Sequence, residues 1–527
     1  MIYKKNKLFS CSADMKKEYC AKILRIGPQY PIKGAERLVQ TYVDGNSVVV
    51  PKGMYESGEA VVYCMNETQL NRNFLSANNQ FEFSERRLNA NHAEVNALLA
   101  EGHEEEARSK VGFFNKHGRV RLIKLRGCPS YGCIFKLEQL ALWNPKLQNI
   151  NLEDYLEVDE NGYEHPFRFD SIDGRLFAEV YIPRSGQCKR KGISQKYNRR
   201  LLRFDRLIPG QFEYHYETDT LNGNMWRFKP ETMITVSLKM HGTSVCLANV
   251  LTKVPVELSV ADRYTNRRIA KKIKALKKQH AHSHWQRMEQ EREMLRLERQ
   301  LVQNYRLAYG AVWSSRGVIK NRYINPGVTE GFYEVDIYSQ YGKMMQPHIS
   351  EGLTVYGEIC GYLTGLERMV MKNYDYGCRQ GENFLMPYRI THTAPDGKKT
   401  EWSVQQVHDW TQNLLRQHPK LSGYLRPIEI LYHGTLGDLY PTLDRTRFWQ
   451  ESVLEAIKED TEHFGMELDE PLCQHKVPRE GICIRIDNDR TPQCFKLKTT
   501  AFFHRETKLI DQGLVDYEME AQMQGTP

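Results

Sequence analysis

An α+β fold in two or three parts is what this sequence predicts, and three observations predict it. The chain has 527 residues, too many for one hydrophobic core. Short β-branched runs bounded by glycine turns crowd residues 17–145, the pattern of a small β-rich unit. From Phe204 onward, similar runs alternate with long stretches of helical periodicity, so a second, larger α+β domain follows. A hydrophobic content of 40% and a charged fraction of 26% are those of a folded globular protein.

In the first unit, Val48-Val49-Val50 and Ala60-Val61-Val62-Tyr63 read as strands, with turns at Lys52-Gly53 and Ser57-Gly58. Residues 119–126 alternate basic and apolar side chains. Read as a strand, they expose Arg119, Arg121, Lys124 and Arg126 as a basic row, a candidate RNA-binding surface. Residues 84–110 read as a Glu-rich helical insertion near the surface. Short strands with basic faces suit a small barrel that binds nucleic acid. Residues 146–203 are polar, with Lys189-Arg190-Lys191 and Arg199-Arg200, and read as a connector.

The larger domain, 204–527, holds strand-like runs at 354–359 and 481–486 and a helical insertion near 263–306. In the insertion Ile269, Ile273 and Leu276, then Met294, Leu297 and Leu301, recur at helical spacing, a packing stripe. Between Arg263 and Arg306 stand 13 Lys or Arg against four Glu, an excess equal to the whole chain's net charge of +9. A polyanion, with the insertion clamping an RNA backbone, is one reading; a solvated helical face is the other. His280, His282 and His284 lack neighbouring carboxylates or thiols, so no metal is expected there. No apolar run reaches the roughly 18 residues of a membrane span. The opening residues lack a signal-peptide core, and the twelve cysteines form no C-x-x-C pair. A cytoplasmic, non-secreted protein with reduced thiols is expected, and a phage genome is one source that fits.

The chemistry gathers around Lys239. It ends the largely apolar run 233–238 and is followed three positions later by Gly242, where the backbone can approach a ligand closely. K-x-x-G occurs four times, at Lys124, Lys189, Lys239 and Lys420, so the tetrapeptide alone selects none of them. The residues C-terminal to Lys239 make the selection. Arg316 comes after Trp313-Ser314-Ser315, and Glu358 lies within a strand-like run. Tyr388-Arg389 follows a glycine-rich loop, Glu480-Gly481 leads into an alternating strand with Arg485, and Lys496-Leu497-Lys498 closes the series. Lys496 and Lys498 alternate on a strand and so point the same way. With Arg316 and Arg485 they form a positive field suited to a triphosphate, one that also favours a neutral, nucleophilic Lys239. Glu358 and Glu480 offer carboxylates for ribose hydroxyls and for a metal-side contact, and Tyr388 offers a ring for a purine.

In this order the elements resemble the motifs of the covalent nucleotidyltransferases, the superfamily of ATP-dependent ligases and capping enzymes. Lys239-Met240-His241-Gly242-Thr243 is similar to the nucleophile motif in the form RNA ligases carry. Residues 31–38, 49–53 and 123–127 resemble the OB domain that precedes the ligase domain in Deinococcus-type RNA ligases. The resemblance implies an N-terminal OB-like β-barrel over 1–145, then a nucleotidyltransferase domain of antiparallel sheets flanked by helices. It implies Lys239 as the residue that takes AMP from ATP. Leu238, His241, Gly242, Arg316, Glu358, Tyr388, Glu480, Arg485, Lys496 and Lys498 would bind the nucleotide. Magnesium, with manganese able to substitute, would act near Glu480, mainly through the ATP phosphates. The implied substrate is RNA with 3′-hydroxyl and 5′-phosphate ends, a nicked duplex included, and no obligatory protein partner is evident. Two positions depart from the pattern: Leu238 stands where Glu is common, and Arg389 where Asp is common.

Two other readings stay open. Only 29 residues follow Lys498, too few for the C-terminal OB domain of capping enzymes and most cellular DNA ligases, yet a DNA-joining enzyme remains possible. A catalytically inactive nucleic-acid-binding protein with a ligase-like domain is the third reading, and the intact set of charged residues weighs against it.

Overall fold

The computed structural model describes residues 8–12, 15–159, 163–182, 204–216, 218–279, 283–323, 335–445, 449–466, 473–487 and 492–512. Lys189, Arg190, Lys191, Arg199, Arg200, His280 and His282 lie outside them. In chain order the main elements begin with β1 (Ala21–Arg25), β2 (Leu38–Val43), β3 (Asn46–Pro51), β4 (Ala60–Met65), α1 (His92–Ala100), β5 (Gly132–Phe135) and β6 (Phe167–Phe169). Then come β7 (Met233–Lys239), β8 (Thr243–Pro255), α2 (Val260–Lys278), α3 (His284–Arg299), β9 (Tyr305–Ser315), α4 (Ile337–Met345), β10 (Leu353–Gly361), β11 (Asn383–Thr393) and β12 (Lys399–Glu401). The chain continues through α5 (Val404–Gln417), β13 (Ile430–Thr435), α6 (Trp449–Met466), β14 (Gly481–Ile486), β15 (Gln493–Lys498) and α7 (Thr500–Asp511). It forms two compact units: described residues up to 182, with 218–241 and 429–512, make the first, and 204–216 with 242–428 make the second. The stretch read as one domain from 204 onward is therefore shared between them. The chain leaves the first unit directly after His241 and returns at Glu429.

In the first unit the N-terminal strands are divided over small antiparallel sheets. One has the order β5-β4-β1-β6, and another joins β2 and β3 to residues 29–31. Among the described residues these sheets do not join into a closed barrel. Ile23, Val62, Phe74, Phe135, Phe169 and Phe177 belong to one core cluster, and Val39, Val43, Val48 and Val50 of β2 and β3 to another. Part of the expected connector belongs to the first of these clusters. Phe167 pairs with Ile23 and Ala178 with Leu70, and the aromatic residues of 167–177 give that polar stretch enough apolar surface to stay folded back. The Glu-rich insertion is helical, as 83–88, α1 and 104–109.

The basic strand expected over 119–126 is corrected. A continuous strand is confined to Ile123–Leu125, with Arg119 bridged singly to Gln69, because Leu122 and Ile123 place two apolar residues in succession and break the alternation. Arg119 is 2% exposed and forms ion pairs with Glu67 at 2.6 Å and Asp511 at 2.7 Å. Arg121 lies 3.6 Å from Glu82, while Lys124 and Arg126 are exposed. These four residues make no common surface row.

A second sheet of the first unit runs β15-β14-β7-β13, with residues 219–220 at its β15 edge. Its apolar side (Ile234, Val236, Ile482, Ile484, Phe495 and Leu497) clusters with Trp449, Val453, Leu454 and Ile457 of α6. The second unit is built on the antiparallel sheet β9-β8-β10-β11-β12, against which α4 and α5 pack. Between β8 and β9 the chain makes the α2–α3 hairpin where 263–306 is predicted helical. Ser259 and Ser283 cap the two N-termini, accepting from the amides of Asp262 and Gln286. Among the described residues no helix is long and apolar enough to cross a membrane.

Candidate active site

Strand register decides which side chains share a face. Lys239 pairs with Gly481, Ser237 with Cys483, and Thr235 with Arg485. Across the next ladder Gly481 pairs with Lys498, Cys483 with Lys496, and Arg485 with Cys494. Paired residues point to one side of a sheet, so Lys239, Lys496, Lys498 and Arg485 stand on the same face. Leu238 alternates to the other, core-facing side with Ile482 and Leu497 and is 4% exposed, so its side chain is not brought to Lys239. Gly481 sits between Lys239 and Lys498 in the register. A Cβ there would lie 2.0 Å from the Leu497 carbonyl at a φ of +146°, so this position requires glycine.

The positive field expected around Lys239 encloses a buried acid. Glu480 is 4% exposed and places Oε2 2.8 Å from the Lys239 Nζ and Oε1 3.6 Å from the Lys498 Nζ. Burial would raise its carboxyl pKa. The charges of Lys239, Lys498 and His241 outweigh that and hold it down at about 2. Lys498 also meets Glu506 at 3.0 Å, and the His241 ring stands edge-on to Phe502 with centroids 4.9 Å apart. Lys496 is held by Glu18 at 2.9 Å. Arg485 is 4% exposed and turned to Asp487 at 2.8 Å, an acid that also accepts from the Thr235 hydroxyl, so it is engaged four register pairs away from Lys239. The Cys483 thiol pKa is lowered, chiefly by its hydrogen bond with Cys494 and then, against burial, by Lys239. A cavity of about 340 Å³ opens beside this face, with Glu18, Asn46, Tyr131, Lys458, Lys496 and Lys498 among its walls; Lys239 does not line it.

The second unit presents the remaining candidates. The Gly242 amide donates to the Glu358 Oε1 at 3.2 Å, and a Cβ at 242 would lie 2.4 Å from the Ile359 carbonyl oxygen. Glu358 pairs with Ser244, whose hydroxyl is 3.3 Å from that of Tyr388. Gly357 pairs with Pro387 and Tyr356 with Arg389, so Tyr388 is the extra residue of a β-bulge. Bulges re-aim side chains and recur beside binding sites. Arg316 is half-buried, one residue beyond the end of β9. Arg389 pairs with Glu401 at 2.9 Å and lies over the rings of Tyr216 and Tyr356, 4.3 and 4.4 Å from their centroids. Arg389 is thus paired with an acid of the neighbouring strand β12.

Several of these residues have no local sequence signal. Glu18 and Glu506 meet the paired lysines only through tertiary folding, and Glu401 sits in an ordinary Lys-Thr-Glu stretch. Lys320 is a further case: burial lowers its pKa, and its ammonium lies 5.2 Å from the centroid of Tyr338, whose hydroxyl meets that of Thr243 at 2.8 Å.

No family profile matches this chain, and no curated protein matches it either. Among solved structures it is similar to Naegleria gruberi RNA ligase. The form with PPi aligns at a TM-score of 0.46 and 14% identity, covering 94% of this chain and 100% of that one. A mutant form with ATP and Mn aligns at 0.47 and 15%, covering 92% and 98%.

Proposed function

We propose that the chain is an ATP-dependent polynucleotide ligase that seals RNA through a lysyl-AMP intermediate. One observation carries the reading. Lys239 ends a strand against the buried carboxylate of Glu480, on the sheet face that also bears Lys496 and Lys498. The motif resemblance, with Gly242, Arg316, Glu358 and Tyr388 at matching positions, supports it.

In the first step the Lys239 ammonium gives up a proton to solvent and parts from Glu480. Its nitrogen attacks the α-phosphorus of ATP, a P–N bond forms, and the P–O bond to pyrophosphate breaks. Lys496 and Lys498 offset the charge that builds on the departing phosphates, and Glu480 steers the amine while giving two lysines one shared counter-charge. An RNA 5′-phosphate oxygen then takes the AMP, restoring the lysine, and a 3′-hydroxyl displaces AMP to close the strand. Tyr388 would supply the ring for the base and Glu358 an acceptor for ribose hydroxyls. Among the described residues no cluster of three His, Cys, Asp or Glu side chains forms a metal site of its own. Magnesium held by one carboxylate and the phosphates it accompanies fits Glu480, and when bound it would neutralise phosphate charge. The N-terminal sheets would act as an OB-like module on the nucleic acid.

Incubation with α-labelled ATP and magnesium tests the reading. Acid-stable label on the protein is expected, lost by at least about 1,000-fold in Lys239→Ala. Label that persists in that variant overturns the nucleophile, and label from GTP alone overturns the ATP-dependent ligase. Nicks with RNA or DNA on the 3′-hydroxyl side then compare the two sugars, and preference for all-DNA nicks excludes the RNA substrate.

A further inference from the structure

The α2–α3 hairpin divides its charge unevenly. Helix α2 carries eight Lys or Arg against one Asp, whereas α3 carries four Arg against four Glu. The whole basic excess of the hairpin therefore lies on one helix. All eight cations of α2 are exposed, and among the described residues none is in an ion pair. Asp262 is taken up at the N-terminus, where its carboxylate accepts from the Ser259 hydroxyl.

The apolar side of α2 is already used. Ile269 and Ile273 pack with Leu297, flanked by Leu276 and Leu301, and Asn266 exchanges two hydrogen bonds with the backbone of Val302. At 100° per residue, Arg267, Lys271, Lys274 and Lys278 fall within roughly 60° of arc on the far side, spread along about 16 Å of helix. A surface helix under no demand beyond solubility intersperses acids, as α3 does. Like charges three and four residues apart destabilise α2 by roughly 0.2–0.5 kcal/mol per pair, so its composition is not the one that best stabilises a helix.

We infer that the outer face of α2 is a docking surface for the phosphate backbone of a nucleic acid, read without regard to sequence. Charge complementarity identifies the occupant: a duplex presents one negative charge per roughly 1.7 Å of its axis, or about nine along the stripe. An anionic membrane fits less well, because interfacial helices insert a continuous apolar face: the Ile269–Ile273 stripe of α2 is covered, and of its large apolar side chains only Val260 and Tyr264, in its first turns, are exposed. The inference goes beyond ligation, since binding here needs no chemistry at Lys239.

The test uses the full chain with Arg267→Ala, Lys271→Ala, Lys274→Ala and Lys278→Ala combined, and a control carrying Arg287→Ala, Arg292→Ala, Arg296→Ala and Arg299→Ala on α3. Binding of fluorescent RNA and DNA duplexes is measured from 50 to 300 mM salt. The α2 variant is expected to bind about 100-fold more weakly or worse at low salt, with the slope of log K against log salt smaller by roughly 3–4. The α3 control should lose much less, and labelling from ATP should stay within about twofold in both. Unchanged duplex affinity in the α2 variant overturns the surface, as does equal loss in the α3 control or loss confined to phosphatidylserine vesicles. A wild-type chain that binds duplex through α2 yet takes no label from ATP refutes the ligase reading and leaves the docking surface standing.

Discussion

Two cationic surfaces of this protein are built on opposite terms. On the sheet of the first unit each lysine meets a carboxylate: Lys239 and Lys498 share Glu480, Lys498 also meets Glu506, and Lys496 meets Glu18. On α2 the eight cations are exposed and, among the described residues, none is in an ion pair. Buried charges cannot be left alone, because desolvation costs several kcal/mol per ion, whereas exposed charges keep their water. The difference matters for chemistry. A paired lysine is held at a defined place until its partner is exchanged for a phosphate, which suits a reacting or orienting group. An unpaired one on a helix surface attracts any polyanion and orients none.

The sharpest way to break this contrast is to remove the acid at the centre of the paired face. Glu480→Ala leaves Lys239 and Lys498 without their shared counter-charge beside a buried strand. A loss of about 3–5 kcal/mol in unfolding free energy is expected, together with loss of ATP labelling, read from urea titrations and the labelling assay. A variant as stable as the parent would show that the lysines of this face do not depend on being paired.

The same carboxylate gives the face a pH signature. Its pKa is near 2 in the folded chain and near 4.5 when unfolded, so the folded state holds the proton less readily. That stability is fully present above about pH 4.5 and is lost as pH falls toward 2, for a total of roughly 3 kcal/mol. Urea midpoints measured between pH 2 and 6 should show the slope in the parent and a flatter one in Glu480→Gln. Equal slopes would assign acid sensitivity to other groups.

Glu18→Gln is a milder version. It removes the charge that holds Lys496 but keeps the shape of the side chain, and a cost of about 2 kcal/mol is expected in the same titrations. A neutral result would mean that the Glu18–Lys496 pair does not fix Lys496.

How much of this is legible in the sequence depends on the range of the interaction. The strand at 481–486 and the common direction of Lys496 and Lys498 are readable from alternation alone, because a two-residue period is a local property. The same rule, applied with its offset, puts Leu238 on the core side, away from Lys239. Residues 119–126 fail for a physical reason: two adjacent apolar residues, Leu122 and Ile123, break the alternation, and at Arg119 a buried acid, Glu67, outweighs exposure. The bulge at Tyr388 and the partners Glu18, Glu506 and Glu401 come from register and tertiary folding, which leave no trace within a window of sequence.

The smallest expected effect has the opposite sign and tests the other half of the contrast. Replacing Arg267, Lys271, Lys274 and Lys278 by Ala removes no ion pair and no core contact, so nothing in the folded state is lost beyond the aliphatic stems. The substitutions relieve the repulsions between Arg267 and Lys271, Lys271 and Lys274, and Lys274 and Lys278, each worth roughly 0.2–0.5 kcal/mol. Alanine also has the highest helix propensity. The second unit should therefore become slightly more stable, by up to about 1 kcal/mol at low salt, with the gain fading as salt screens the repulsion. Thermal melts at 20 and 300 mM salt would show it. A destabilised variant would mean that the α2 cations have partners inside the fold, and the distinction between a paired and an unpaired surface would then fail at the point where it predicts a gain.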